Sequence, residues 1–350
     1  MKNQTSIAIV GYGNIGRAVH RSIIANEGFY GDVKFGGIVT RDPSRVSEEL
    51  WGSEMVYDAG QDSCRDLGID VAILCGGSKK DLPIQGPLFS KYFNTVDSFD
   101  THDHIGPYVD EKTHKQMPGY FAVMDAVSTR AGNVAAVSFG WDPGTFSLER
   151  VLGSSFIPGS HPRGFYGLSE QGGLSMGHSD AIRNIEGVAD ARQYTHAIPE
   201  AIEALRLNPD LELTPREMHW RECLVVLEDD NPEARARVKK KITTMPQYFA
   251  DNKTTVEFVS QNEINGQHQG MPHDGVVITS GKTGEGNLAS IEYGNTWQSN
   301  PEGTAGILVA TARAVHRLSK EGKRGAHTIL DIPPAYYSPH SQAELLKSFM

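Results

Sequence analysis

Ser6-Ile7-Ala8-Ile9-Val10-Gly11-Tyr12-Gly13-Asn14-Ile15-Gly16 decides the reading of the first half of this chain. Residues 6–10 form a short unbroken apolar run, the mark of a strand buried on both faces. A GxGxxG pattern follows without a gap, and Ile15, Val19 and Ile23 then keep helical spacing on one face. The first glycine permits a tight turn and the second lets backbone N–H groups approach a pyrophosphate. The third packs the helix against its strand, and the helix N-terminus favours negative charge. In this strand–turn–helix setting Gly11, Tyr12, Gly13, Asn14, Ile15 and Gly16 are expected to hold a dinucleotide.

Further strands are expected at 33–39, 71–75, 95–99 and 134–139. Helices fall between them, one opened by Asp81-Leu82-Pro83 and another around 120–129. Alternating strand and helix predicts an α/β, Rossmann-like, doubly wound parallel sheet. The second strand ends in Thr40-Arg41-Asp42, with Arg45 a turn later. An NAD site usually carries an acid there for the ribose 2′-OH, whereas a 2′-phosphate needs a cation. Thr40 offers a hydroxyl and Arg41 a planar fork suited to phosphate oxygens, so NADP is the expected cofactor. Asp42 competes with that reading, or caps the next turn. Asp32 has the usual spacing from the glycines but precedes the strand. Cys75-Gly76-Gly77-Ser78 ends another strand, where small residues let the ribose–nicotinamide half lie across it or form an ordinary turn.

After Trp141-Asp142-Pro143-Gly144 the texture changes. Strand-like segments at 193–197, 220–227, 254–260, 275–280 and 288–293 follow one another, with one helix at 232–243. This predicts an α+β region with an open, largely antiparallel sheet and a helix on one face. A long helix over 302–318 follows.

Composition narrows the classes. A chain of 350 residues, 39% hydrophobic, suffices for two domains, each with its own core. The net charge of −10 argues against a nucleic-acid binder. Cys64, Cys75 and Cys223 make neither a CxxC pair nor a disulfide framework, and no HExxH occurs, so no metal is expected. The first apolar run is too short for a signal peptide, and none approaches the roughly 20 residues of a membrane span. A cytoplasmic protein is expected.

The carboxyl ends of the later strands carry two acids, Asp100 and Asp142, where ligands of such sheets bind. They would hold an ammonium group and orient or deprotonate it; each equally suits a helix N-cap. Trp141 reads as an apolar wall or a core residue. In the second half Thr195, Arg221 and His273 punctuate apolar segments. An arginine there projects paired donors at a carboxylate, or is simply solvated.

Taken together, AIVGYGNIGR (8–17), TVDSFD (95–100), AGNVAAVSFGWDPGTFS (131–147), MGHSDAIR (176–183), TMPQYF (244–249), GMPHDGVVITSG (270–281) and AVHRL (314–318) resemble the meso-diaminopimelate D-dehydrogenases. The resemblance runs the length of the chain. It implies NADP-dependent, reversible oxidative deamination at the D-centre of meso-2,6-diaminopimelate, on the route to lysine, by a homodimer. It further implies a dinucleotide-binding domain over 1–145, completed by 300–350, and a substrate-binding and dimerisation domain over 146–299. Asp100, Trp141 and Asp142 then match residues around the D-centre, and Tyr166 an aromatic lining the site. Asp180, Thr195, Arg221 and His273 match those gripping the distal L-centre, and Asn300 a further ligand. The stretch before GHSD departs from the family. It is four residues longer and puts Met176 where a substrate-contacting Gln is usual, with Gln171 the available substitute. That departure admits a broader D-amino-acid dehydrogenase; a non-catalytic NADP-binding regulator is the other alternative.

Overall fold

The structure, a computed structural model, describes residues 4–26, 28–41, 46, 56–58, 68–110, 112–246 and 248–350, with backbone alone at 56–58. Asp42, Arg45 and Cys64 lie outside the described residues. The chain divides into two compact units, Met1–Leu148 with Pro301–Met350, and Glu149–Asn300.

The elements run in order β1 (Thr5–Val10), α1 (Asn14–Ala25), β2 (Val33–Thr40), β3 (Val56–Asp58), β4 (Val71–Leu74), α2 (Leu82–Phe89) and β5 (Asn94–Asp97). A short hairpin, β6 (Tyr108–Val109) and β7 (Gln116–Met117), precedes α3 (Gly119–Ala131) and β8 (Val134–Ala136). Next come α4 (Thr145–Phe156), β9 (His161–Tyr166), β10 (Gly173–Leu174), α5 (Met176–Arg183), β11 (Val188–Ala197), α6 (Pro199–Leu207), α7 (Pro215–Met218), β12 (His219–Leu227) and α8 (Pro232–Thr243). The order closes with β13 (Lys253–Phe258), α9 (Gln261–Gln267), β14 (His273–Thr283), β15 (Asn287–Trp297), α10 (Asn300–Lys320), β16 (Gly325–His327) and α11 (Gln342–Phe349).

In the first unit the described strands make a parallel sheet in the order β16-β8-β5-β4-β1-β2-β3. Side chains of a strand alternate faces. Ile7 and Ile9 of β1 therefore join one core with Val19, Ile23, Leu308 and Val315, while Ala8 and Val10 join another with Leu82, Phe89 and Met124. Two apolar faces explain why the strands read as unbroken apolar runs. Strand order reverses between β1 and β4, and ligands of such sheets bind outside the carboxyl ends at that switch point. Asp32 serves structure: its carboxylate pairs with Arg313, which is only 2% exposed and also donates to the Tyr337 carbonyl at 2.6 Å. That ion pair ties α10 and the tail beyond it to the turn before β2.

In the second unit the expected single sheet resolves into two. One has the order β10-β11-β12-β13, the other β15-β14-β9. The second is antiparallel throughout, but β12 and β13 pair parallel because α8 carries the chain back between them. β9 was not expected: His-Pro-Arg-Gly-Phe-Tyr carries no alternation, and β14 recruits it by long-range pairing. One face of the first sheet packs Ala191, Cys223 and Val225 against Ile182 of α5, Val238 and Ile242 of α8, and Phe249. On that same face, toward one end, stand Gln193 and the cross-strand pair Thr195–Arg221.

Candidate functional site

In the first unit the candidate residues begin with the glycine turn. Gly11 takes φ +91°, and its N–H donates to the Val39 carbonyl at 2.8 Å. A Cβ on Gly16 would fall 2.1 Å from the Gly11 carbonyl oxygen, so helix and turn touch backbone to backbone. A Cβ on Gly13 would meet nothing within 4 Å. Gly13 caps α1 without any side-chain hydrogen bond, so the helix opens with no side chain between its first turn and a ligand. The Tyr12 hydroxyl lies 2.8 Å from His20 Nδ1, and the Arg17 guanidinium 5.8 Å from the Tyr12 ring. Thr40 is the buried last residue of β2. Arg41 is exposed and reaches Asp81 Oδ1 at 3.1 Å, while Asp81 Oδ2 accepts the Gly77 N–H at 3.0 Å. Cys75 donates its N–H to Val10 at 2.8 Å, and burial pushes its thiol up to about 12, so it stays protonated. Gly76 lies against the Gln85 side chain, and Ser78 Oγ accepts the Asp100 N–H at 2.7 Å. A glycine turn after β1 at the start of a helix fits a dinucleotide, and Arg41 stands exposed at the end of β2.

The acids beyond β5 divide sharply. Asp97 is wholly buried: Oδ1 accepts the N–H groups of Phe99 and Ser138, both at 3.0 Å, and Oδ2 the Tyr120 hydroxyl at 2.9 Å. It staples β5 to the segment after β8, and burial pushes its pKa up to about 6. Asp100, three residues on, is exposed. Trp141 is buried and meets Phe146 edge-on at 5.2 Å, and Asp142 is half-buried beside it.

The Asp97 geometry sets a pH prediction. A carboxyl raised from 3.8 to about 6 holds its proton better in the folded state, so its contribution to stability is full below pH 3.8 and lost as pH rises through 6. At about 1.36 kcal/mol per pH unit the difference is about 3 kcal/mol. Asp97→Asn removes the charge and keeps one acceptor oxygen for the Phe99 and Ser138 N–H groups, its NH2 replacing the oxygen that accepts from Tyr120. Its stability relative to wild type, from urea melts between pH 4 and 7.5, should improve by that order as pH rises. A constant difference would contradict the assignment.

In the second unit a candidate cluster surrounds Arg221. Its Nη1 donates to Thr195 Oγ1, Gln193 Nε2 lies 3.4 Å from the same oxygen, and its Nε is buried without a hydrogen-bond partner. Among the described residues no carboxylate pairs with Arg221. Burial lowers its pKa from the usual guanidinium range, and a guanidinium still remains charged. His219 Nε2 accepts the Tyr166 N–H at 3.0 Å, so its proton sits on Nδ1. Burial and Arg221 push that ring down to about 4. The Tyr166 hydroxyl accepts from Arg150 at 2.9 Å, and its ring stacks on His219 at 5.6 Å. His273 is buried, and a Cβ on Gly173 would fall 2.6 Å from its ring. The set is a half-buried cation beside the neutral His219 imidazole and the buried His273 ring, suited to drawing in a carboxylate.

Other expected residues stand differently. Asp180 is exposed and ion-pairs with Arg183 on its own helix. Met176 opens α5 and packs against the apolar cluster of Leu174, Tyr194, Leu224, Val226 and Ile264. Gln171 is exposed in a turn. Asn300 opens α10, its N–H bonded to the Met271 carbonyl at 2.8 Å. Sequence reasoning missed His178, His219 and Gln193. A serine three residues before His178 is a visible helix-cap signal, but nothing local says where the ring lands.

Residues 140–299 match the family described as diaminopimelic acid dehydrogenase C-terminal domain. Over 347 residues the chain is 46% identical to the meso-diaminopimelate D-dehydrogenase of Lysinibacillus sphaericus, covering 98% of each. The solved structure of C. glutamicum DAP dehydrogenase in complex with DAP is similar at a TM-score of 0.86 and 36% identity, over 100% of both chains. An engineered D-amino acid dehydrogenase bound to NADP+ is similar at 0.82 and 34%, over 99% of this chain and 100% of that one. Identity of this extent over the full chain means that the protein belongs to the meso-diaminopimelate D-dehydrogenase family and is an oxidoreductase of the amino-acid dehydrogenase type.

Proposed function

We propose that this chain catalyses the NADP-dependent, reversible oxidative deamination of the D-centre of meso-2,6-diaminopimelate, giving L-2-amino-6-oxoheptanedioate, ammonium and NADPH. The observation that carries the reading is Arg221, a half-buried guanidinium whose Nε is buried without a hydrogen-bond partner and which has no carboxylate partner among the described residues. A buried charge left unpaired is costly, so such a site implies an anionic ligand. A substrate with a carboxylate and an ammonium at each end supplies that ligand to Arg221, Thr195 and His273. It leaves the other end to the acids Asp100 and Asp142 and the wall of Trp141, with Tyr166, Asp180 and Asn300 completing the grip.

When bound, the nicotinamide accepts the hydride of the D-carbon, and the protein supplies orientation and charge. The amine must shed a proton before the hydride leaves, and Asp100 or Asp142 is the acceptor. Holding the L-end fixes which hydrogen is presented, and thereby the stereochemistry. Water hydrolyses the resulting imine. The first unit, with the segment from 301, binds the dinucleotide; Gly11 to Gly16 take the pyrophosphate, Thr40 and Arg41 the 2′-phosphate, and residues 75–78 the ribose–nicotinamide half. The working form is a homodimer in the cytoplasm.

The test is NADPH formation at 340 nm with purified protein and the meso, LL and DD isomers, beside simple D-amino acids. Turnover confined to the meso isomer supports the reading. Comparable rates on D-amino acids would favour the relaxed enzyme, for which the apolar packing of Met176 is the specific argument. Arg41→Asp should shift the kcat/KM preference from NADP toward NAD by about tenfold or more. An unchanged ratio would remove Arg41 from the cofactor site.

A further inference from the structure

The sheet face that carries Thr195 and Arg221 is covered by α5 and by the segment after α8. Ser175 caps α5: its Oγ accepts the His178 N–H at 3.4 Å and lies 2.5 Å from His178 Nδ1. Since that oxygen already accepts the His178 N–H, its hydroxyl is taken as the donor to Nδ1, which places the imidazole proton on Nε2. Tyr248 and Phe249 meet the ring edge to face at 5.2 and 5.6 Å, which fixes its plane.

Two backbone bonds place this turn. Ser175 N–H donates to the Gln193 carbonyl and Gln193 N–H to Ser179 Oγ, both at 2.9 Å. Gln193 is two residues from Thr195, the cross-strand partner of Arg221. Burial, with Arg221 and His273 close by, pushes the His178 pKa down to about 3, so the ring is neutral at physiological pH. Its one hydrogen-bond partner among the described residues is Ser175, which leaves Nε2–H for a ligand. Beside a half-buried guanidinium a neutral donor adds a hydrogen bond without adding like charge.

We infer that His178 is a further ligand for the carboxylate taken by Arg221, its Nε2–H presented as a neutral donor because Ser175 occupies Nδ1. The inference rests on the diaminopimelate reading above. His178→Phe keeps an aromatic ring against Tyr248 and Phe249 and removes the donor. The holoenzyme variant should show a KM for meso-diaminopimelate raised about tenfold, with kcat within about threefold and NADP binding unchanged. His178→Asn should recover part of the affinity, and Ser175→Ala, which frees the tautomer, should show a smaller rise. A KM within about twofold of wild type in His178→Phe would overturn the inference. Should that variant not fold, unchanged KM in both His178→Asn and Ser175→Ala would do so. A wild-type enzyme inert toward meso-diaminopimelate would overturn the substrate reading itself, and this inference with it.

Discussion

Arg221→Met is expected to raise the KM for meso-diaminopimelate by about 30- to 5,000-fold, while leaving the protein as stable as wild type or more so. The two effects have one cause. Arg221, half-buried, gives up hydration on folding, at its Nε altogether, and receives the Thr195 oxygen in exchange, but no carboxylate among the described residues. The free protein therefore bears the desolvation of a charge that only a ligand repays. Methionine preserves much of the apolar stem and removes that cost. Removal of one member of a buried charge pair costs about 2–5 kcal/mol of binding, from which the range of KM follows. Steady-state kinetics with urea melts of the same preparations measure both. A structural arginine would behave oppositely, losing stability with little specific change in KM.

Gly16→Ala should weaken dinucleotide binding by at least about 100-fold and destabilise the fold by about 3 kcal/mol or more. The new methyl would sit 2.1 Å from the Gly11 carbonyl oxygen, and backbone cannot swing aside as a flexible side chain does. Either α1 lifts from β1, disturbing Val19 and Ile23 in the core, or the turn at Gly11 opens. Gly13→Ala is the matched control. Nothing lies within 4 Å of its methyl, and the residue has an extended conformation open to alanine. It should keep wild-type stability within about 0.5 kcal/mol yet lose NADP affinity, because the methyl takes the room left for the pyrophosphate. Fluorescence titration with NADP beside thermal melts separates the two. Equal melting temperatures for both variants would refute the packing argument.

Much of the first unit was legible because its signals are local. Residues 6–16 carry strand, turn and helix start within one short stretch, and apolar runs announce β4 and β5. The second unit was less so. The segment that becomes β9 contains proline and glycine and pairs only because β14, more than a hundred residues later, offers an edge. The β12–β13 pairing is parallel for a similar reason, the excursion through α8. At the site, the Asp97-Ser98-Phe99-Asp100 run held two acids with opposite fates. Nothing in the sequence around them says that Asp97 is buried under three hydrogen bonds while Asp100 stays exposed.

By itself, then, the sequence determined the doubly wound sheet, the glycine turn and the family, since periodicity, glycine spacing and motif order are properties of neighbouring residues. Only the tertiary structure decided which charged groups are left unpaired. Asp32 and Arg313 lie 281 residues apart and neutralise each other, whereas Arg221 folds into a place where its neighbours are a threonine and neutral histidines. Whether a charge is spent on the fold or kept for a ligand depends on burial and on partners distant in the chain, and packing alone supplies both.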